Sequence, residues 1–298
     1  MENVLIAGCG DVGLALAELL LADGTPVRAI RRQQEQLPPG VTGFGLDLRD
    51  PRQLAALPGD VEVLVFAASA DESNEVSYRS LYLDGLRNVL EVLVRKGAPL
   101  HRVVFTSSTS VYGQTSGEWV DESSATNPPG FSGHVMLEAE RMVADWSAER
   151  GSIGFSVRFG GIYGSGRTRL IDLVRSRRAT CGDGPPRFTN RIHIDDCAGV
   201  LHHLLRSESP ASIWLGVDDD PAEQCTVYNW LAERLGVPPP SRAPWDPGSV
   251  RGAERSNKRC SNSRLHAAGY RFRHPSFREG YAAMIEALVP REGSARES

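Results

Sequence analysis

Short apolar runs alternate with helical patterns through the first half of the chain. Residues 4–7, 27–30, 61–67, 102–106 and 153–159 are apolar runs of strand length. Between them, apolar positions at helical spacing predict helices over 11–23, 76–96 and 133–149. Strands that alternate with helices imply βαβ units. Right-handed crossovers then build an α/β fold of the Rossmann type, a doubly wound parallel sheet with helices on both faces. The second half is less regular. Pro- and Gly-rich joints at 182–186, 236–240 and 244–248 separate helical patterns at 195–206 and 227–235. This predicts a Rossmann domain over 1–165 and a smaller, loop-rich C-terminal lobe over 166–298, with a polar, flexible tail at 290–298.

Composition narrows the class of partner. The chain has 298 residues, 41% hydrophobic and 23% charged, enough for a sizeable core. A formal net charge of −4 offers no basic field for nucleic acid or anionic lipid. The most apolar helical stretch, 14–22, contains Glu18 and is far shorter than the ~20 residues a bilayer needs. The first residues run straight into a strand pattern with no charged leader, so a cytoplasmic protein without a membrane partner is expected. The five cysteines are scattered without C-x-x-C spacing, which predicts reduced structural thiols. No metal site is expected: His202 and His203 lack a third ligand at recognisable spacing.

The clearest chemistry lies at the start. Val4-Leu5-Ile6-Ala7 leads into Gly8-Cys9-Gly10-Asp11-Val12-Gly13 and then into an apolar-periodic helix. That is the strand–turn–helix setting in which a G-x-G-x-x-G turn binds a dinucleotide. Gly8 permits the tight turn, Gly10 lets the pyrophosphate approach the backbone, and Gly13 lets the helix pack on the strand. The second strand ends in Arg31-Arg32 and not in the carboxylate that would accept from a ribose 2′-OH. Guanidinium groups pair well with phosphate, which favours NADP(H) and leaves NAD(H) as the alternative.

Later segments resemble the extended short-chain dehydrogenase/reductase family, the nucleotide-sugar epimerases and dehydratases. Asp47-Leu48 follows the third strand. Phe105-Thr106-Ser107-Ser108-Thr109-Ser110-Val111-Tyr112-Gly113 is similar to the family's fifth-strand active-site segment. Arg158-Phe159-Gly160-Gly161-Ile162-Tyr163-Gly164 is similar to its sixth-strand segment, and Arg191-Ile192-His193-Ile194-Asp195-Asp196 to its return to the Rossmann domain, at about 190–206. The run from Lys258 to Leu265, followed by Gly269-Tyr270, looks like the C-terminal substrate-lobe motif. More narrowly, the chain resembles a bacterial subgroup of NAD-dependent epimerases/dehydratases with a short turn and a Ser-Gly opening to the catalytic helix. The resemblance implies that Ser108 donates a hydrogen bond to a substrate oxygen. It also implies that Ala67, Ala68, Ser69 and Ser107 line the cofactor, that Asp47 and Leu48 meet the adenine, and that Tyr112 packs near the substrate. Asn88 takes the position of a structural helix asparagine. His193, Asp195 and Asp196 become structural, with Asp195 expected to cap the following helix. The family also points to a homodimer.

One departure changes the functional picture. The family's catalytic helix opens with Tyr-x-x-x-Lys, in which the lysine lowers the tyrosine pKa and both face one side. Here Ser132 stands for the tyrosine and Met136 for the lysine, and the chain contains no Tyr-x-x-x-Lys anywhere. His134 falls on another face of the helix. The family's first turn glycine is Ala7. Three readings follow: an NAD(P)-dependent oxidoreductase, epimerase or dehydratase with divergent acid–base residues, acting on an unidentified, nucleotide-sugar-like small molecule; a non-catalytic NADP(H)-binding sensor or regulatory protein; and a structural protein with an empty cleft, which the intact glycine turn disfavours.

Overall fold

A computed structural model describes residues 2–209, 211–244 and 256–288. The first half reads β1 (Val4–Ala7), α1 (Asp11–Ala22), β2 (Val27–Ile30), β3 (Thr42–Phe44), α2 (Pro51–Leu54), β4 (Val63–Phe66), α3 (Glu75–Arg79), α4 (Leu86–Arg95), β5 (Arg102–Ser108), β6 (Glu118–Val120), α5 (Phe131–Arg150) and β7 (Ile153–Phe159). The second half reads β8 (Gly161–Tyr163), α6 (Arg169–Arg175), β9 (Thr180–Gly182), β10 (Arg191–His193), α7 (Ile194–Leu205), β11 (Ile213–Gly216), α8 (Gln224–Arg234), β12 (Ser241–Ala243) and β13 (Lys258–Cys260). Helices over Ser263–Ala267 and Phe277–Leu288 follow. The expected flexible tail and most of the joint at 244–248 lie outside the described residues.

Seven strands form one parallel sheet in the order β11-β7-β5-β4-β1-β2-β3. Its central strands β1 and β4 are apolar at every position because both faces are covered. In β1, Leu5 and Ala7 pack on one side with Leu86 and Val89 of α4 and Val135 and Ala139 of α5. Val4 and Ile6 pack on the other, with Leu16 of α1 and Leu201 of α7. The helical pattern expected over 76–96 is interrupted: a π-helical turn, Ser80–Gly85, joins α3 to α4. The helix α5 stops at Gly151, whose left-handed φ of +61 suits a residue without a Cβ.

The strand β11 joins the sheet through β7, an element the hydrophobic pattern left unassigned. The remaining strands form three two-stranded pairs outside the sheet, β10 with β8, β12 with β9 and β13 with β6. A separate apolar cluster, which takes in Cys181 of β9 and Tyr163 of β8, includes Ile171, Val227, Leu231 and Phe277. Within it Cys181 of β9 and Cys225 of α8 form a disulfide, with Cα atoms 5.5 Å apart. This corrects the expectation of five reduced thiols. The two cysteines are 44 residues apart, and the packing of α8 on β9, which no local spacing announces, brings them together. Cys9, Cys197 and Cys260 are free and buried. Among the described residues no helix is long and apolar enough to cross a membrane.

Candidate functional site

The strand order reverses between β1 and β4, and a crevice opens beyond the carboxyl ends of both, where open α/β sheets take their ligands. The glycine turn forms its floor. Gly8 and Cys9 hang from β2 through N–H bonds to Ile30 O (3.1 and 3.0 Å). Gly8 has φ +81, and an added Cβ would lie 2.3 Å from Ala68 Cα, so the turn is pressed against the end of β4. A Cβ on Gly13 would lie 3.1 Å from Ile6 Cγ2, which brings α1 close to β1. Gly10 differs: an added Cβ meets nothing within 4 Å. It is also the N-cap of α1 and has no side chain to bond the first-turn N–H groups. The open backbone and the positive end of α1 together form a cradle for phosphate.

Two cavities meet at this cradle and share Gly10, Ala68 and Ser69. The first, of about 610 Å³, is lined by Gly8, Cys9, Arg31, Arg32, Asp47, Leu48, Arg49 and Asp71 among others. The second, of about 410 Å³, is lined by Asp11, Val12, Ala67, Tyr78, Tyr82, Ser107, Ser108, Ser132, Met136 and Arg167 among others. The structure thus gathers most of the expected residues around one divided cleft. Gly13 lies beneath it.

Charges crowd the rim of the first cavity. Arg31 Nη1 donates to Cys9 O (2.6 Å) and braces the glycine turn from outside. Arg32 pairs with both oxygens of Asp71 (2.6 and 2.8 Å). Arg49 pairs with Asp47 (2.7 Å), and its Nη1 is 4.0 Å from Asp71. These guanidinium groups hold the Asp47 and Asp71 carboxyls below their ordinary range. Sequence reasoning found Arg31, Arg32 and Asp47 but missed Arg49 and Asp71. Although β2 ends without a carboxylate, Asp71 brings one to the same rim from beyond β4. Burial pushes the Cys9 thiol up to about 11, which keeps it neutral.

The second cavity is rich in hydroxyl groups. Ser108 Oγ accepts the Ser110 N–H (3.1 Å), so its own proton is left to point elsewhere. Ser107 Oγ donates to the buried Glu140 (2.6 Å). Ser132 and Met136 lie one turn apart on α5 and both line the cavity. His134 is exposed and bonds Gly130 O, away from it. Tyr112 lies behind the wall. It is fully buried, its hydroxyl donates to Asp121 O (2.7 Å), and it accepts from Arg158 (2.7 Å). Among the described residues the tyrosines that do reach the cavity are Tyr78 and Tyr82, which the helical pattern left indistinct from core positions. Burial raises the Tyr82 phenol above its ordinary value.

The supporting motifs act as staples. Asn88 Nδ2 holds Leu48 O (3.2 Å). Asp196 is fully buried and accepts from Tyr270 OH, Arg273 N and His274 N. Lys258 is buried, and its Nζ donates to Tyr112 O (3.3 Å) and Ser256 Oγ (2.8 Å). Desolvation pushes its pKa down. The cap of α7 is not Asp195. His193 takes that place, and its Nδ1 accepts the Asp195 N–H (3.2 Å), because the chain enters the helix one residue pair earlier than the preference for Asp suggests. The structure also draws His193, Asp195 and His274 together, with donor atoms within 4.8 Å of one another. Asp195 is shared there with Arg273 (3.3 Å).

Residues 4–216 match the NAD dependent epimerase/dehydratase family. The chain belongs to this family. A solved structure from Methylobacillus flagellatus, assigned to the NAD-dependent epimerases/dehydratases, is 36% identical; the match covers 96% of this chain and 98% of that one, with a TM-score of 0.78. Protein YeeZ of Escherichia coli (strain K12) is 29% identical over 251 residues, 80% of this chain and 86% of the relative. A UDP-glucose 4-epimerase of Streptomyces lividans is 26% identical over 239 residues, 68% of this chain and 70% of the relative. The chain therefore has the NAD-binding oxidoreductase fold of this family.

Proposed function

We propose that this chain binds a nicotinamide dinucleotide along the divided cleft, prefers NADP(H) to NAD(H), and acts as an oxidoreductase, epimerase or dehydratase with divergent acid–base residues on an unidentified, nucleotide-sugar-like small molecule. The observation that carries the reading is the meeting of two cavities at Gly10, where the backbone is open and the N-terminus of α1 is uncapped. Gly10 and the first turn of α1 would hold the pyrophosphate. The first cavity would take the adenosine half, with Asp47 and Leu48 at the base and Arg32 and Arg49 facing the ribose. When bound, the nicotinamide supplies hydride transfer at a substrate carbon. Ser108 would donate its hydroxyl proton to the substrate oxygen, and Ser132 would hold that oxygen from α5. The sugar-nucleotide class is supported by the Streptomyces lividans relative. A net charge of −4 supports small-molecule partners without nucleic acid or membrane. A cytoplasmic homodimer belongs to the same reading.

The NADP(H) preference rests on charge. Three arginines and two aspartates line the first cavity, a local excess of one positive charge. The Arg32–Asp71 pair is roughly half-exposed, and exposed pairs contribute only about 0–1 kcal/mol, so a 2′-phosphate can displace Asp71. Calorimetric titration of NADPH and NADH tests the proposal. Tighter NADPH binding is expected, equal or reversed affinities would remove the NADP preference, and binding of neither would remove the function.

A second reading, a non-catalytic NADP(H) sensor or regulatory protein, is favoured by one observation. Among the described residues the second cavity is lined by no lysine, histidine or glutamate, and its one aspartate, Asp11, is paired with Arg167.

A further inference from the structure

Arg167 reaches the cleft from outside the glycine-turn unit, in the turn between β8 and α6. That turn is held tightly. Arg167 N donates to Gly164 O (3.0 Å), and Gly164 and Gly166 supply φ values of +140 and +76 that glycine tolerates. An added Cβ on Gly164 would lie 2.5 Å from Ile194 Cγ2, so the turn is seated on the first residue of α7. From this seat the side chain crosses to α1, where Nε donates to Asp11 Oδ2 (2.9 Å) across 156 residues of sequence. Both side chains are partly exposed, 38% and 49%, and both line the second cavity beside Gly10. Among the described residues, Nη1 and Nη2 of Arg167 have no hydrogen-bond partner.

Asp11 sets the problem that Arg167 answers. A carboxylate in the first turn of α1 is favourable for the helix, whose N-terminus carries partial positive charge. The same carboxylate repels a phosphate that approaches the open backbone at Gly10. Arg167, which lines the cavity, neutralises it through Nε and leaves two further nitrogens without a partner among the described residues.

We infer that Arg167 is a pyrophosphate-binding residue of the cleft, which offsets Asp11 and grips the diphosphate diester of the cofactor beside the first turn of α1. The inference rests on the dinucleotide-binding reading above. The partly exposed Asp11 contact is weak enough to rearrange. A guanidinium–phosphate hydrogen bond is charge-assisted on both sides and suits the free Nη edge. The turn after β8 would then be tied to the cofactor as well as to α1.

The test is calorimetric titration of the full chain with NADP⁺ and with adenosine 2′-monophosphate, which lacks the pyrophosphate. Arg167→Gln is expected to weaken NADP⁺ binding about tenfold or more, the size of a lost charge-assisted hydrogen bond, and to leave adenosine 2′-monophosphate unchanged. Adding Asp11→Asn to Arg167→Gln is expected to restore part of the loss, because the uncompensated carboxylate is then gone. Arg167→Lys, expected to bind with intermediate affinity, replaces Arg167→Gln if thermal melting shows the latter misfolded. Wild-type NADP⁺ affinity in Arg167→Gln, or equal losses for both probes, would overturn the inference alone. Failure of the wild-type chain to bind any dinucleotide would overturn the underlying reading and this inference with it.

Discussion

Arg158 and Glu140 form a bidentate ion pair beneath the floor of the second cavity, with Nη2–Oε2 at 2.7 Å and Nε–Oε1 at 2.9 Å. Each side chain is only 6% exposed. The pair joins β7 to α5, and it extends upward through Ser107 Oγ and sideways through the Tyr112 hydroxyl. Glu140 lies one turn beyond Met136 and two beyond Ser132, so this pair positions the helix that walls the cavity. Removing one partner leaves a buried charge uncompensated. Glu140→Ala is therefore expected to lower the unfolding free energy by about 3–5 kcal/mol. Replacing both partners with apolar residues of similar volume, Glu140→Leu with Arg158→Met, should cost much less. Urea unfolding of the two variants checks this, and equal losses in both would contradict it.

The two turn glycines should fail in different ways. Gly8 has a positive φ and no room for a Cβ against Ala68, so Gly8→Ala should destabilise the fold itself. Gly10 has open space around its missing Cβ, so Gly10→Val should fold normally and abolish dinucleotide binding by filling the cradle. Thermal melting paired with NADPH titration separates the two effects. A folded Gly10→Val variant with unchanged affinity would refute the placement of the cofactor.

Asp218 gives the protein a pH dependence. It is buried, its Oδ2 has no hydrogen-bond partner among the described residues, and desolvation pushes its carboxyl from 3.8 up to about 8, with nearby Arg191 opposing the rise. Between these values the folded chain binds a proton that the unfolded chain has released. The stabilising contribution is thus complete below about 3.8 and is lost as pH rises through about 8. Asp218→Asn cannot ionise, so its melting temperature should gain on the wild type across this interval. A difference that stays constant with pH would sink the assignment.

Residues that signal through local pattern were legible in the sequence. β1, β2 and β7 occupy the runs expected of them, and the strand–turn–helix at Gly8–Gly13 stands where the motif places it. What escaped depends on contacts between distant positions. Asp71 meets Arg32 across 39 residues, and Arg167 meets Asp11 across 156. A solvated arginine has the same local signature with or without such a partner. Tyr78 and Tyr82 occur at helical spacing, which reads equally as core, and only the packing of α3 and the π-helical turn beside α5 shows them facing a cavity. The α7 cap went to His193 because capping follows the φ/ψ of the entering residue, ψ 148 here, and side-chain preference is a weaker guide.

On the proposed reading, in which Ser132 and Met136 stand where the resemblance implies Tyr-x-x-x-Lys, the cleft lacks a tuned base. Oxidising an alcohol needs a base for the hydroxyl proton, and a positioned base contributes ~10²–10⁴-fold. Ser132 and Met136 line the second cavity at the spacing the dyad requires, and neither can serve as a tuned base. Ser108, which lines the same cavity, keeps a hydroxyl proton that the Ser110 N–H contact does not use. The chain is therefore expected to bind NADP(H) and to show little or no oxidation of ordinary nucleotide sugars near neutral pH. Ser132→Tyr combined with Met136→Lys is the smallest change expected to install that activity. Met136 is one turn from Ser132 on the cavity wall, so a lysine there would set its ammonium beside the new tyrosine and lower its pKa. Absorbance of nicotinamide reduction over a panel of nucleotide sugars, for the native chain and the double variant, is the measurement. Vigorous turnover by the native chain, undiminished in Ser132→Ala, would show that another group takes the proton. Tyr112, Tyr163 and His193 are buried, and none of them lines the cavity. Tyr78 and Tyr82 do line it, and Tyr78→Phe and Tyr82→Phe would then be the variants to measure.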